Sequence, residues 1–223
     1  MSRLVLLRHG ESTANAEDRF AGWLDDPLTP RGLAQAEEAG RGLAELRPGA
    51  VHTSVLERAI VTARLMATAA GWDVPLRRDW RLNERHYGAL QGLDKGEARR
   101  RYGTADVETW RRSVDVAPPP ATAEQLAEQL ADHRYAQDPR ARLTATESLG
   151  DVARRMAPYW HEVLQPELAS GRTVVVVSHG NAVRVLFHLA TGVPLEEAAQ
   201  LQVPTTTPIL PPAVVLTDSP PVP

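Results

Sequence analysis

The sequence predicts an α/β fold: a doubly wound, mostly parallel sheet flanked by helices, with an inserted cap segment over a crevice. Two apolar runs, Leu4 to Leu7 and Val174 to Val177, are each followed within two residues by a His-Gly pair, His9-Gly10 and His179-Gly180. Strands covered on both faces read as continuous apolar runs, and ligands of open α/β sheets lie beyond the carboxyl ends of the strands. Both histidines are therefore expected to face one crevice. Between them strand and helix patterns alternate, as a doubly wound sheet requires.

Thr29 reads as an N-cap with Pro30 at the first helical position, and Leu33, Ala36, Gly40 and Leu43 follow on one helical face. Ala50 to Ser54 has the character of a short strand. Leu56, Ile60 and Ala63 then start another amphipathic helix, with Arg58 in its first turn. Residues 77–146 carry little strand periodicity, many charges and the run Pro118-Pro119-Pro120. A long irregular segment inside a compact domain is usually a functional lid, so this one is expected to form the cap. Glu147 to Leu164 returns to helical pattern, which Pro158 must kink or divide. From 204 to 223 prolines at 204, 208, 211, 212, 220, 221 and 223 exclude a helix. Ala213 to Leu216 could add an edge strand, and the last residues are expected to lack order.

A length of 223 residues with 43% hydrophobic content suffices for one α/β domain, and residues 1–223 are expected to form one. A net charge of −3 gives no global attraction to nucleic acid or to an anionic membrane, so positive potential must be concentrated locally. The chain contains no cysteine, which excludes disulfides, thiolate metal sites and a cysteine nucleophile. The seven histidines lack metal-ligand spacing. No apolar run approaches the ~20 residues of a membrane span, and the chain enters its first strand without a leader pattern, so a cytoplasmic location is expected. The oligomeric state stays open, a homo-oligomer included.

Arg8 beside His9 suits phosphate chemistry, because a neutral imidazole is nucleophilic near pH 7 and a guanidinium matches phosphate oxygens bidentately. The segments RHGESTAN (8–15), RFAGWLDDPLTPRG (19–32), HTSVLERAIVTA (52–63), WRLNERHYGALQG (80–92), WRR (110–112), TES (146–148) and HGNAVR (179–184) extend this pattern along the chain. In this order they resemble the cofactor-dependent phosphoglycerate mutases, a branch of the histidine phosphatase superfamily. The resemblance runs from Arg3 to about Pro208.

The resemblance implies that His9 becomes phosphorylated, that Arg8 and Arg58 clamp phosphate with Asn15 as a neutral donor, and that His179 donates to the transferring oxygens. It implies that Glu84 is the general acid and base, and that Gly22, Tyr87, Lys95, Arg111 and Arg112 belong to the substrate-binding set. Gly180 and Asn181, with the backbone near Gly10, are expected to offer amides at helix N-termini. The implied cofactor is 2,3-bisphosphoglycerate, with no metal, and the implied partner is a small phosphorylated substrate. The reaction implied is interconversion of 3- and 2-phosphoglycerate.

Several positions depart from the family pattern. Ala14 replaces a bulky aromatic, Ala21 a hydroxyl residue, Ala182 a serine and Thr206 the glycine of a PTG turn, and the Pro-rich end replaces a mobile, often lysine-containing tail. Each touches binding or closure, leaving His9 and Glu84 in place. A histidine phosphatase, or a mutase relative acting on another small phosphoester, is the alternative. A silent phospholigand-binding scaffold is a third reading, which the intact His9, Arg8, Arg58, Glu84 and His179 oppose.

Overall fold

The computed structural model describes residues 3–136 and 138–216, without the side chains of Arg112, Pro139 and Arg142. Four strands, β1 (Arg3–Arg8), β2 (Pro48–Thr53), β3 (Leu76–Arg78) and β4 (Thr173–Ser178), form a sheet of order β1-β4-β2-β3. All three pairings are parallel. The register sets Leu7 and Thr53 on either side of Val177. The chain therefore leaves β1, β4 and β2 side by side, with the β4 exit in the middle.

Alternation along the strands divides the core in two. Leu4, Leu6, Val174 and Val176 face one layer, made with α8 (Leu149–Tyr159) and α10 (Gly180–Thr191). Val5, Leu7, Val175, Val177 and Val51 face the other, made with α2 (Pro30–Gly42) and α3 (Glu57–Ala70). Both faces are covered, which is why the strands are apolar at successive positions rather than alternately. Thr29 caps α2, its hydroxyl accepting from Gly32 N–H at 3.0 Å. Ala36 and Gly40 are buried beneath that helix as expected, whereas Leu33, in its first turn, is 39% exposed.

Pro158 does not divide its helix. The helical course of α8 continues through a wide π turn, Trp160–Leu164, into α9 (Gln165–Ala169). The π turn widens the hydrogen-bond register after the proline, Gln165 N–H donating to Trp160 O.

Two other expectations are corrected. The cap begins later than residue 77, because Arg77 and Arg78 pair with His52 and Thr53 as part of β3. Beyond them the segment is largely helical: α4 (Lys95–Tyr102), α5 (Thr104–Arg112), α6 (Ala123–Ala131) and α7 (Pro139–Leu143). It brings small cores of its own, around Phe20, Leu90, Ala98 and Val107 and around Trp23, Tyr135 and Ala141. The second correction concerns Ala213 to Leu216, which form no strand; Val215 N–H instead donates to Ala190 O at the end of α10, at 2.7 Å. The outer edge of β1 is met by Ile209, in an antiparallel bridge with Leu6. The expected lack of order in the last residues concerns 217–223, which lie outside the described residues.

Thr206 occupies the left-handed region at φ +54°, with its N–H donating to Arg8 O at 2.9 Å. A β-branched residue is strained there by about 1–2 kcal/mol, while glycine is at ease. Among the described residues Thr206 Oγ1 bonds the neighbouring Thr205 O alone, at 2.8 Å. Thr206→Gly is therefore expected to stabilise the protein by about 1 kcal/mol in urea unfolding. An unchanged or lowered midpoint would show that the strain is relieved elsewhere.

Candidate active site

The crevice opens where the register predicts, at the exits of β1, β4 and β2. About 250 Å3 in volume, it is lined by Arg8, His9, Asn15, Gly22, Arg58, Glu84, Tyr87, Lys95, Arg111, Gly180 and Asn181. Arg19, Phe20, Ala21 and Arg184 complete the wall. Every position expected from the sequence is gathered here except two. His179 sits directly behind His9, their ring centroids 5.0 Å apart. The side chain of Arg112 lies outside the described residues.

The tautomer of His9 follows from its contacts. Its Nδ1 lies 2.7 Å from Gly10 O, which can only accept, so Nδ1 carries the proton. Nε2 keeps its lone pair and accepts from Arg58 Nε at 3.3 Å. His9 is 3% exposed, and burial with the charges of Arg58 and Arg8 pushes its pKa well below the usual histidine value. The ring is thus neutral, with its nucleophilic nitrogen turned to a guanidinium.

Arg58 does more than supply charge. Its Nη1 donates to Leu24 O at 2.9 Å and its Nη2 to Gly22 O at 2.7 Å, holding the 22–24 turn over the site. Each of these nitrogens has a second N–H. Gly22 is confined to glycine by its φ of +54° and by Gln91 Oε1, which would stand 2.1 Å from an added Cβ. The same oxygen accepts from Trp23 N–H at 2.8 Å.

Ser54, at the end of β2, sets the second histidine. Its Oγ accepts from Leu56 N–H at 3.2 Å and lies 2.8 Å from His179 Nε2; where the hydroxyl donates to that nitrogen, the ring proton is on Nδ1. That Nδ1 is buried without a hydrogen-bond partner among the described residues. So are Arg8 Nε and both Nε and Nη1 of Arg85. An unpaired buried donor costs about 1–3 kcal/mol, and Arg8 in the crevice wall and His179 behind His9 leave such donors where an anion could meet them.

Glu84 is the one carboxylate in the lining. Its Oε1 accepts from Arg85 N–H at 2.7 Å and from Asn181 N–H at 3.2 Å, the latter at the start of α10. Proximity in sequence suggests a Glu84–Arg85 ion pair, yet the Arg85 guanidinium turns to Arg111 O at 3.3 Å and lies over the Tyr87 ring at 4.8 Å. Tyr87 Oη accepts from Asn181 Nδ2 at 3.0 Å. Lys95 pairs with Asp18, and Arg111 with Glu108 at 2.9 Å.

One expected donor is corrected. Gly10 N–H is committed to Thr62 Oγ1 on α3 at 3.0 Å, and the first helix after β1, α1 (Thr13–Ala16), starts later with Ser12 as its cap. Gly10 serves packing, since a Cβ there would stand 2.4 Å from Gly32 O. Arg19 and Arg184 were not singled out from the sequence. Arg184 follows Gly180 by one helical turn, a spacing that could have indicated it.

The buried histidines give the protein a pH signature. Burial pushes the pKa of His9, His52 and His179 down, and that of His86 down to about 4. Above pH 6.5 each is neutral both folded and unfolded. Below 6.5 the unfolded chain binds protons that the folded state refuses, so each such histidine removes up to about 1.4 kcal/mol of stability per pH unit. For His86 the loss levels off near pH 4. Unfolding free energies are expected to fall steeply between pH 6.5 and 5.5, and a flat profile there would refute the neutral assignment.

Among the described residues no group of three or more His, Cys, Asp or Glu could hold a metal ion. No helix among them is long and apolar enough to cross a membrane.

Comparison with known proteins agrees with this chemistry. The family model of the histidine phosphatase superfamily, branch 1, matches residues 4–133 and 120–209. A 2,3-bisphosphoglycerate-dependent phosphoglycerate mutase of Thermobifida fusca is 48% identical over 214 residues, covering 94% of this chain and 86% of that protein. The protein of the same name from Maricaulis maris is 46% identical over 215 residues, covering 94% and 88%. Among solved structures, a mycobacterial glucosyl-3-phosphoglycerate phosphatase in complex with VO3 aligns with a TM-score of 0.70 at 30% identity, over 91% of this chain and 88% of that one. With His9 at a strand end in a cationic crevice, His179 packed behind it and a family match along most of its length, the chain belongs to the histidine phosphatase superfamily.

Proposed function

We infer that the protein is a phosphoglycerate mutase, interconverting 3- and 2-phosphoglycerate through a phosphohistidine at His9. The observation that carries this reading is the neutral His9, with its Nε2 lone pair set against Arg58 inside a crevice of six cationic side chains and one carboxylate. Curated relatives at 46–48% identity bear the mutase name. Such a wall suits a small acid bearing more than one anionic group.

His9 Nε2 attacks phosphorus in line, forming the N–P bond as the bond to the substrate oxygen breaks. Arg8, Arg58 and Asn15 hold the equatorial oxygens, and Nδ1–H of His179 donates to them. Phosphoryl transfer asks mainly for positioning and charge neutralisation, which these groups provide. Glu84 gives its proton to the leaving oxygen and takes one from the hydroxyl that later receives the phosphoryl group. Lys95, Tyr87, Arg111 and Arg112 hold the rest of the substrate. When bound, 2,3-bisphosphoglycerate supplies the phosphoryl group that loads His9, and the cationic wall fits its charge. The reading makes a small phosphorylated acid the partner and requires no metal ion.

A second reading is a phosphatase acting on another small phosphoester. It is favoured by the likeness to the mycobacterial phosphatase and by Ala21, which lines the crevice with a methyl group where the resemblance to the mutases implies a hydroxyl. Incubation with 3-phosphoglycerate, with and without 2,3-bisphosphoglycerate, separates the two. Isomer formation stimulated by the bisphosphate supports the mutase; phosphate release without isomerisation supports the phosphatase.

A further inference from the structure

The segment from Asp79 to His86 delivers Glu84 to the crevice with only one turn of 3-10 helix, Trp80–Leu82, to hold it. Beyond that turn its carbonyls have no sheet or helix ladder, and those of Trp80, Arg81, Asn83 and Glu84 converge on a single side chain. Arg155, on α8, donates from Nη1 to Arg81 O at 2.7 Å, Asn83 O at 3.3 Å and Trp80 O at 3.4 Å. Its Nη2 donates to Glu84 O at 3.1 Å and Asn83 O at 3.3 Å. The far end of the segment is held by Glu147. Its Oε2 accepts from His86 N–H at 2.8 Å, and its own N–H donates to His86 O at 2.9 Å. The two residues then lock each other, Arg155 Nε to Glu147 Oε1 at 2.6 Å and Nη2 to Oε2 at 2.9 Å. Trp23 Nε1 adds a bond to Glu84 O at 2.6 Å, under a guanidinium 5.5 Å from its ring.

The pair is 5% and 4% exposed. Buried ion pairs are poor sources of stability, because desolvation offsets their attraction, whereas in some proteins they fix one geometry. Proton transfer is sensitive to that geometry: a misplacement of about 1 Å can cost 10²-fold. We propose that Arg155 and Glu147 are positioning residues for Glu84, holding its loop so that the carboxylate meets the leaving oxygen. This rests on the reading of Glu84 as the proton carrier.

The test compares two phosphoryl donors in single-turnover labelling of His9. An aryl phosphate such as p-nitrophenyl phosphate releases a phenolate that needs no proton, whereas an alkyl phosphate such as 3-phosphoglycerate must be protonated as it leaves. Arg155→Lys and Glu147→Gln are expected to slow labelling from the alkyl donor by about 10- to 100-fold and from the aryl donor by less than about threefold. Glu84→Gln should show the same selectivity, and combining it with Arg155→Lys should add little further loss, as for groups acting through one step. Equal slowing with both donors in a folded variant, or additive losses in the double variant, would overturn the proposal. Should Arg155→Lys fail to fold, Glu147→Gln, which keeps an acceptor for His86 N–H, decides alone. A Glu84→Gln variant that slows both donors equally would refute the proton-carrier reading itself, and the proposal with it.

Discussion

Replacing His9 by asparagine is expected to abolish phosphoryl labelling and to lower kcat by roughly 10⁶-fold, the scale of loss when a covalent nucleophile is deleted. Asparagine suits the experiment because its Nδ2 can take over the bond that His9 Nδ1 makes to Gly10 O at 2.7 Å, so the turn after β1 keeps its anchor. What disappears is Nε2, the atom facing Arg58. The wild-type label should be acid-labile and alkali-stable, as a phosphoramidate is. Label that survives acid, or that persists in His9→Asn at unchanged thermal stability, would place the nucleophile elsewhere.

Glu84→Gln is expected to lower kcat by about 10²- to 10⁴-fold while substrate affinity changes little. The amide retains an oxygen for Arg85 N–H and Asn181 N–H, so the loop should stay in place while the transferable proton is lost. A normal kcat at every pH from 6 to 9 would make Glu84 structural. A large rise in KM with kcat unchanged would assign it to ground-state binding instead.

Much of this site was legible before any fold was known. His9 and His179 stand out because an apolar strand followed closely by His-Gly is a local pattern, and the strand-to-crevice rule depends only on topology. Arg58 was found through its motif and its place in the first turn of α3. The cap is legible as a unit by its lost periodicity, although its helices are not, since α4 to α7 are short, α4, α5 and α7 pack on small local clusters rather than on the sheet, and α6 buries no residue. Its start was misread because β3 is only three residues long and two of them are exposed arginines, so no apolar pattern marks it.

What escaped the sequence is mostly supporting contact between distant segments. Thr62 takes Gly10 N–H from 52 residues away, Ser54 reaches His179 across 125, and Arg155 collects the carbonyls of a loop more than 70 residues earlier. A threonine, a serine or an arginine carries no mark of such a role, because the partner is backbone or lies on another element.

The sequence by itself therefore determined the parallel α/β class with its strands β1, β2 and β4, the strand-end histidines, the family and the chemical types present, since these depend on local hydrophobic patterning and short motifs. Only the tertiary structure decided the tautomer of His9, the commitment of Gly10 to packing and the hold of Arg155 on the carbonyl of Glu84. The physical reason is that tautomers and loop positions are set by hydrogen bonds closing across the fold. Those bonds exist only once β1, β4 and β2 stand side by side with their exits aligned.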